Sequence, residues 1–323
     1  MEVSSFLLGI FMVFVIFLAL RWFAELFEIG NLENKAVFIT GCDSGFGRAL
    51  AIHCAERGMP VMAGCMLKKS IDELQTISKH CRTPIDAFIL DVTKDESIAE
   101  AKNYVESKTA KYGGLHGVVN NAGVLGNTFF DDFLTIEDYK QTADVNLWGA
   151  IRIVQAFKPL LKRTRGRIVI ATSVCGRFAL MGTGPTELRL FGVSVHVLEP
   201  GFFTTHLTSR KNVESQLDTM YGSCPEEVKL EYGKEFFFKM RKKTFWLLGL
   251  MSSKQINHVT EAYYHALTAV YPRARYHVGW DSILVFTPLS FFPTELQDLI
   301  TRIALLIMKI PSPALTSQKV KSF

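Results

Sequence analysis

The stretch KAVFITGCDSGFGRAL, residues 35–50, holds a strand, a turn and the start of a helix. The β-rich run KAVFIT passes into a Gly-rich turn, and the turn opens a helical stretch that continues to about Arg57. That order aims backbone N–H groups and the positive end of a helix at one point, which suits a phosphate. Gly41 permits a tight turn, Gly45 lets the backbone approach a pyrophosphate, and Gly47 allows the helix to pack closely on the strand. Thr40, Ser44 and Phe46 complete the candidate cradle. A Gly cluster alone is weak evidence; its place in the first βαβ unit gives it weight.

Outward from this turn, strand and helix alternate. Strands are predicted at 60–65, 85–90, 115–120, 167–172 and 193–200, with helices from about Ser70, over 94–111 and over 135–161. Such alternation predicts an α/β fold, a Rossmann-type doubly wound parallel sheet with helices on both faces. Ligands in these sheets lie beyond the carboxyl ends of the strands. Asp91 and Val92 follow the third strand there. NNAG, with Asn120, Ala122 and Gly123, ends the fourth, Ser173 follows the fifth, and Pro200-Gly201 ends the sixth. Beyond Gly201 the pattern changes to polar helix over 208–243 with a break at 222–225, a helix over 257–270, a short strand at 276–281 and an apolar helix over 294–310. The last is either core or membrane-lying.

The net charge of +5 is modest and the basic residues are scattered, so no nucleic-acid surface is expected. The 6 cysteines form no C-x-x-C pair and complete no zinc pattern, which reads as small buried thiols and no metal. Phe6 to Leu20 is an unbroken apolar run. It is shorter than the roughly 20 residues that cross a bilayer, and Trp22 and Phe23 extend it past Arg21. An uncleaved anchor, an interfacial helix, a signal peptide and a buried core helix all remain open; the first two are favoured because no cleavage site follows. The domain plan is then 1–29 as anchor or interfacial helix, 30–311 as one Rossmann-type domain and 312–323 as a tail.

TGCDSGFG, LDVT, NNAG, VNLWG, the Ser of ATSVCGR and the later EPG resemble the short-chain dehydrogenase/reductases, in the branch of retinol and hydroxysteroid dehydrogenases. The resemblance implies an NAD(P)-dependent oxidoreductase that interconverts a hydrophobic alcohol, a retinol or a sterol, and its carbonyl. It implies the endoplasmic reticulum membrane as location. It makes Ser173 the residue that orients the substrate oxygen and Asn146 the supporting Asn. The family also uses a Tyr, whose phenol exchanges the substrate proton, and a Lys, whose charge lowers the pKa of that phenol. Both belong to a Y-x-x-x-K pattern on the next helix. Here Pro185 stands where that pattern should open, and neither Tyr nor Lys occurs between Ser173 and Gly201.

Only Thr186 to Phe191 remains as a candidate crossover helix, so roughly fifteen residues are missing relative to the family pattern. The gap also compromises the dimer interface that this helix forms in the family. Two alternatives accompany the oxidoreductase reading: a membrane-tethered dinucleotide-binding protein without catalysis, and an unstable shortened isoform. The literal Tyr104-x-x-x-Lys108 lies on a helix that packs on the sheet and reads as a decoy. Tyr221, Tyr232 and Lys234 are the candidates for a substitute.

The cofactor is NAD or NADP. After the second strand, Cys65 to Lys69 contains no carboxylate and two Lys, which leans electrostatically to NADP. The branch resembled mostly uses NAD, which tilts the expectation to NAD. A substrate pocket is expected between 124–133, the Ser173 loop and the segment after Gly201.

Overall fold

A computed structural model describes residues 2–127, 131–173, 192–309 and 314. The strands are β1 (Ala36–Thr40), β2 (Val61–Cys65), β3 (Ile85–Ile89), β4 (Leu115–Asn120), β5 (Arg167–Ala171), β6 (Ser194–Pro200) and β7 (Arg275–Val278). They form one sheet in the order β3-β2-β1-β4-β5-β6-β7, with every neighbouring pair parallel. Every residue of β1 and β2 is buried, as expected of central strands covered on both faces. The chain order reverses between β1 and β4, so the expected doubly wound sheet has its switch point beside the Gly-rich turn.

The helices are α1 (Glu2–Glu25), α2 (Gly45–Glu56), α3 (Lys68–Ser78), α4 (Asp95–Thr109), α5 (Ile136–Ala143) and α6 (Ala150–Thr164), then α7 (Arg210–Ser223), α8 (Glu226–Tyr232), α9 (Lys234–Met251), α10 (Asn257–Thr268) and α11 (Thr294–Ile307). Alternate side chains of β1 supply two cores. Val37 and Ile39 pack with Leu50 and Cys54 of α2, Leu74 of α3 and Tyr263 and Leu267 of α10. Phe38 faces the other way, among Ile98 and Val105 of α4 and Ile153 and Phe157 of α6. A third, smaller core gathers Phe133 with Val213, Leu217 and Met220 of α7 and Phe237 of α9.

Two details depart from the sequence reading. The single helix expected over 135–161 is divided: α5 and α6 are joined by a π-helical segment, Asp144–Gly149. Such segments break the regular register and cluster at functional sites. Here a Cβ on Gly149 would lie 2.8 Å from Val92, so the segment runs close against the end of the sheet. The polar helical region after Gly201 breaks twice, at Cys224-Pro225 as expected and again at Gly233, whose φ of +80° ends α8. The expected shortened crossover helix lies outside the described residues.

α1 contains the apolar run, and its described side chains Phe11, Met12, Val13, Ile16 and Phe17 are exposed. Among the described residues no helix is long and apolar enough to cross a membrane. The end of α1 is fastened to the body. Glu25 is buried and accepts two hydrogen bonds from Arg273, at 2.8 Å and 2.5 Å. Ile29 N–H donates to Thr268 O at 2.7 Å, and Val270 N–H to Phe27 O at 2.7 Å.

Candidate functional site: a crevice at the switch point

Thr40 ends β1 with its hydroxyl fully buried. That Oγ1 accepts from the N–H groups of Asn121, at 3.0 Å, and Ala122, at 2.9 Å. The Asn121 amide returns the contact, donating to the carbonyls of Thr40 and Gly41 at 3.0 and 3.2 Å. Tyr263 Oη in turn donates to Asn121 Oδ1 at 3.2 Å. The ends of β1 and β4 are thereby locked into one rim of the crevice.

The glycines of the turn have distinct reasons. Gly41 has φ +69°, and a Cβ there would come within 2.8 Å of Ala122 Cα. At Gly47 a Cβ would lie 2.4 Å from both Asn121 Nδ2 and Gly41 O, so this position admits only hydrogen. Gly45 differs: the nearest atom to its Cβ would be Thr205 at 3.5 Å, and what it supplies is φ +59°. Ser44 is the N-cap of α2 with an extended backbone and no side-chain capping bond, and α2 has no acid in its first turn. The first N–H groups of α2 thus retain the positive potential that a phosphate seeks. Phe46 packs edge-on against Phe203, rings 5.6 Å apart. The turn fits the diphosphate of a dinucleotide: it offers backbone donors and a space that any side chain would fill.

The other expected residues divide into those that face the crevice through backbone and those already engaged. Asp91 Oδ1 accepts from the N–H and hydroxyl of Thr93, at 2.9 and 2.7 Å, and so braces the turn after β3. Val92 is buried. The Asn120 amide donates to Ala150 O at 2.9 Å, so its side chain anchors α6. Asn146 sits in the π-helical segment. Its amide donates to Val124 O and accepts from Val124 N–H, both at 2.8 Å, beside Gly123. Ser173 lies exposed beyond β5. Everything expected between it and Phe191 is outside the described residues.

Pro200-Gly201 is held by a residue the sequence reading missed. Asp281, 1% exposed, accepts from Phe202 N–H at 2.7 Å, and a Cβ on Gly201 would lie 1.9 Å from its carboxylate. The available signal was an acid directly after the last strand, YHVGWD. Asp43 was missed as well: its carboxylate joins the Gly-rich turn to the turn after β2, accepting from Met66 N–H and Leu67 N–H.

The substitutes for the family Tyr fare poorly. Tyr104 lies on α4 against Phe88, with Lys108 over its own ring at 5.4 Å, an intrahelical pair as expected of a decoy. Tyr232 donates its phenol proton to Asp132. That bond, with burial and the carboxylate charge, pushes its pKa up to about 12. A general base near neutral pH needs the opposite shift. Tyr221 stacks on Phe237 at 4.1 Å. In the expected substrate region, Asn127 lies against Val213, Gln216, Leu217 and Met220 of α7 around a small gap.

Fold and crevice together define a doubly wound dinucleotide-binding protein. Residues 35–216 match the family model of the short chain dehydrogenases. The chain is 38% identical over 297 residues to 17-beta-hydroxysteroid dehydrogenase type 6 of Bos taurus, with 87% of this chain and 92% of that protein covered. It is 37% identical to retinol dehydrogenase 16 of Homo sapiens, with 91% and 95% covered. A short chain dehydrogenase/reductase from Burkholderia phymatum, solved in complex with NAD, shares the fold with a TM-score of 0.62 at 21% identity, over 83% of this chain and 97% of that one. The chain belongs to the short-chain dehydrogenase family, in its retinol and hydroxysteroid dehydrogenase branch, and its cofactor is a nicotinamide dinucleotide.

Proposed function

We propose that the chain is an NAD(P)-dependent oxidoreductase that interconverts a retinol or hydroxysteroid and its carbonyl. The observation that carries the reading is the interlocked rim of Thr40, Gly47 and Asn121, in a chain 38% identical to a hydroxysteroid dehydrogenase over nearly its whole length. The α2 N-terminus, Gly41, Gly45 and the backbone at Asn120 to Gly123 would hold the dinucleotide, which when bound exchanges a hydride with the carbinol carbon. Ser173 orients the substrate oxygen. Asn146 keeps the loop after β4 in place through Val124. α1 attaches the body to the surface of the endoplasmic reticulum membrane.

Neither Tyr nor Lys occurs between Ser173 and Gly201, and that favours a second reading: a chain that binds dinucleotide with little or no catalysis. A gap is supported by the alignment to the bovine relative. It runs over 297 positions but takes up only 87% of the 323 residues, about 281, leaving about 16 positions without a counterpart in this chain. Where the gap removes the crossover helix, it removes the family's dimer interface with it. Titration with NADH and NADPH, followed by assay with all-trans-retinol and with a hydroxysteroid, separates the readings. Binding with turnover supports the first. Binding without turnover supports the second. No binding of either nucleotide overturns both.

A further inference from the structure

In doubly wound folds the adenosine ribose lies beyond the end of β2. An acid there bonds its 2′-hydroxyl, while basic groups accommodate a 2′-phosphate. The turn here, Cys65 to Lys69, has no acid of its own and carries two Lys. A 2′-phosphate would draw on two resources of this turn: the backbone N–H groups that open α3 and the nearby cations. The amide pair is already engaged, and so is Arg48 among the cations. Met66 N–H and Leu67 N–H donate to Oδ2 and Oδ1 of Asp43, at 2.8 and 2.9 Å. Arg48 of α2 pairs with Glu73 of α3 at 2.8 Å, and Lys69, 87% exposed, approaches the same carboxylate at 4.0 Å. The Asp43 charge is felt beneath the turn as well. Burial first, and then Asp43, push the Cys65 thiol up to about 12.

We infer that Asp43 selects NAD(H) over NADP(H): its carboxylate occupies the amide pair that a 2′-phosphate would use and sets a negative charge against it. The inference rests on the dinucleotide reading above. The selecting acid comes from the Gly-rich turn and reaches across to the end of β2. This reverses the electrostatic lean of the sequence, because Lys68 and Lys69 point into solvent while Asp43 holds the backbone.

The test is titration of the purified full chain with NADH and with NADPH, followed by fluorescence, for the wild type, Asp43→Asn and Asp43→Ser. The wild type is expected to bind NADH more tightly by about tenfold or more, the scale of like charges set together. Asp43→Ser frees the amide pair and removes the charge, so the ratio narrows by about tenfold through stronger NADPH binding. Asp43→Asn removes the charge but keeps one acceptor and narrows it in part. Equal wild-type affinities, or an unchanged ratio in both variants, overturn the selectivity while leaving the dinucleotide site standing. If neither nucleotide binds, the dinucleotide reading itself fails and takes this inference with it. Should Asp43→Ser fail to fold by circular dichroism, the near-isosteric Asp43→Asn and the wild-type ratio decide.

Discussion

Gly47 and Gly45 sit two residues apart in one turn, yet they answer to different physics. An added methyl at Gly47 strikes Asn121 and the Gly41 carbonyl at 2.4 Å, and the Asn121 amide is fixed by donating to both that carbonyl and the carbonyl of Thr40. Gly47→Ala is therefore expected to cost about 1–3 kcal/mol in urea unfolding and to abolish NADH binding. Gly45→Ala meets nothing closer than 3.5 Å and suffers only the left-handed backbone, about 1–2 kcal/mol. Equal loss of binding with no loss of stability at Gly47 would contradict this. His116 makes a separate point. Burial, partly offset by its bond to Leu267 O, pulls its pKa down from 6.5 to about 4. The unfolded chain then takes up the proton first as pH falls. Stability from this residue is complete above pH 6.5 and declines as pH drops toward about 4, approaching roughly 3 kcal/mol. Replacement by Asn should flatten the urea-stability profile across that window, and an unchanged slope would exclude His116 as its source.

The strand pair β6 and β7 carries a buried carboxylate, Glu199, that faces Arg275 and lies 2.9 Å from His277 Nδ1. Its side chain is 2% exposed and that of Arg275 is 48% exposed, so the two partners do not lose equally when the pair is broken. Removing the Arg takes the guanidinium from a buried carboxylate and leaves it facing His277; removing the charge on Glu199 leaves a cation that water can reach. Arg275→Met is thus expected to destabilise by about 3 kcal/mol and Glu199→Gln by less, about 1–2 kcal/mol, in denaturant unfolding. The reverse order would mean that solvent, not Arg275, satisfies Glu199. These strands were legible in the sequence because each is a short β-branched run ending in a turn signal. The break between α5 and α6 was not. Asp144 to Gly149 falls inside the apolar spacing of one long helix, and what sets it apart is a fit against Val92 and a bond to Val124, contacts that periodicity does not encode. The same holds for Gly201 and Asp281, and for Asp43 and Met66. The turn residues were visible, but their partners lie on other elements.

The whole chain joins the crevice at the switch point to a stretch from Ser173 to Gly201 that holds neither Tyr nor Lys. The sheet from β1 to β7, the locked rim at Asn121 and the braced turn at Gly201 are held by contacts among the described residues. Coenzyme binding and turnover should therefore separate. Positioned acid–base groups contribute about 10²–10⁴-fold to rate. Two phenols near the crevice and α8 are poor substitutes: that of Tyr232 is pushed up to about 12 by its bond to Asp132, and Tyr263 is buried on Asn121. The comparison that isolates the effect pairs the 323-residue chain with a form in which roughly fifteen residues carrying Tyr-x-x-x-Lys are inserted between Gly184 and Glu187. Both forms are expected to bind NADH. Oxidation of all-trans-retinol or a hydroxysteroid should rise by about 10²–10⁴-fold on insertion. The inserted helix should also raise the urea midpoint, because each large apolar side chain it buries adds about 1.5–3 kcal/mol. Equal turnover by the two forms would show that a residue present in this chain already moves the proton. A transcript that encodes the longer form in frame would make the shorter one its isoform.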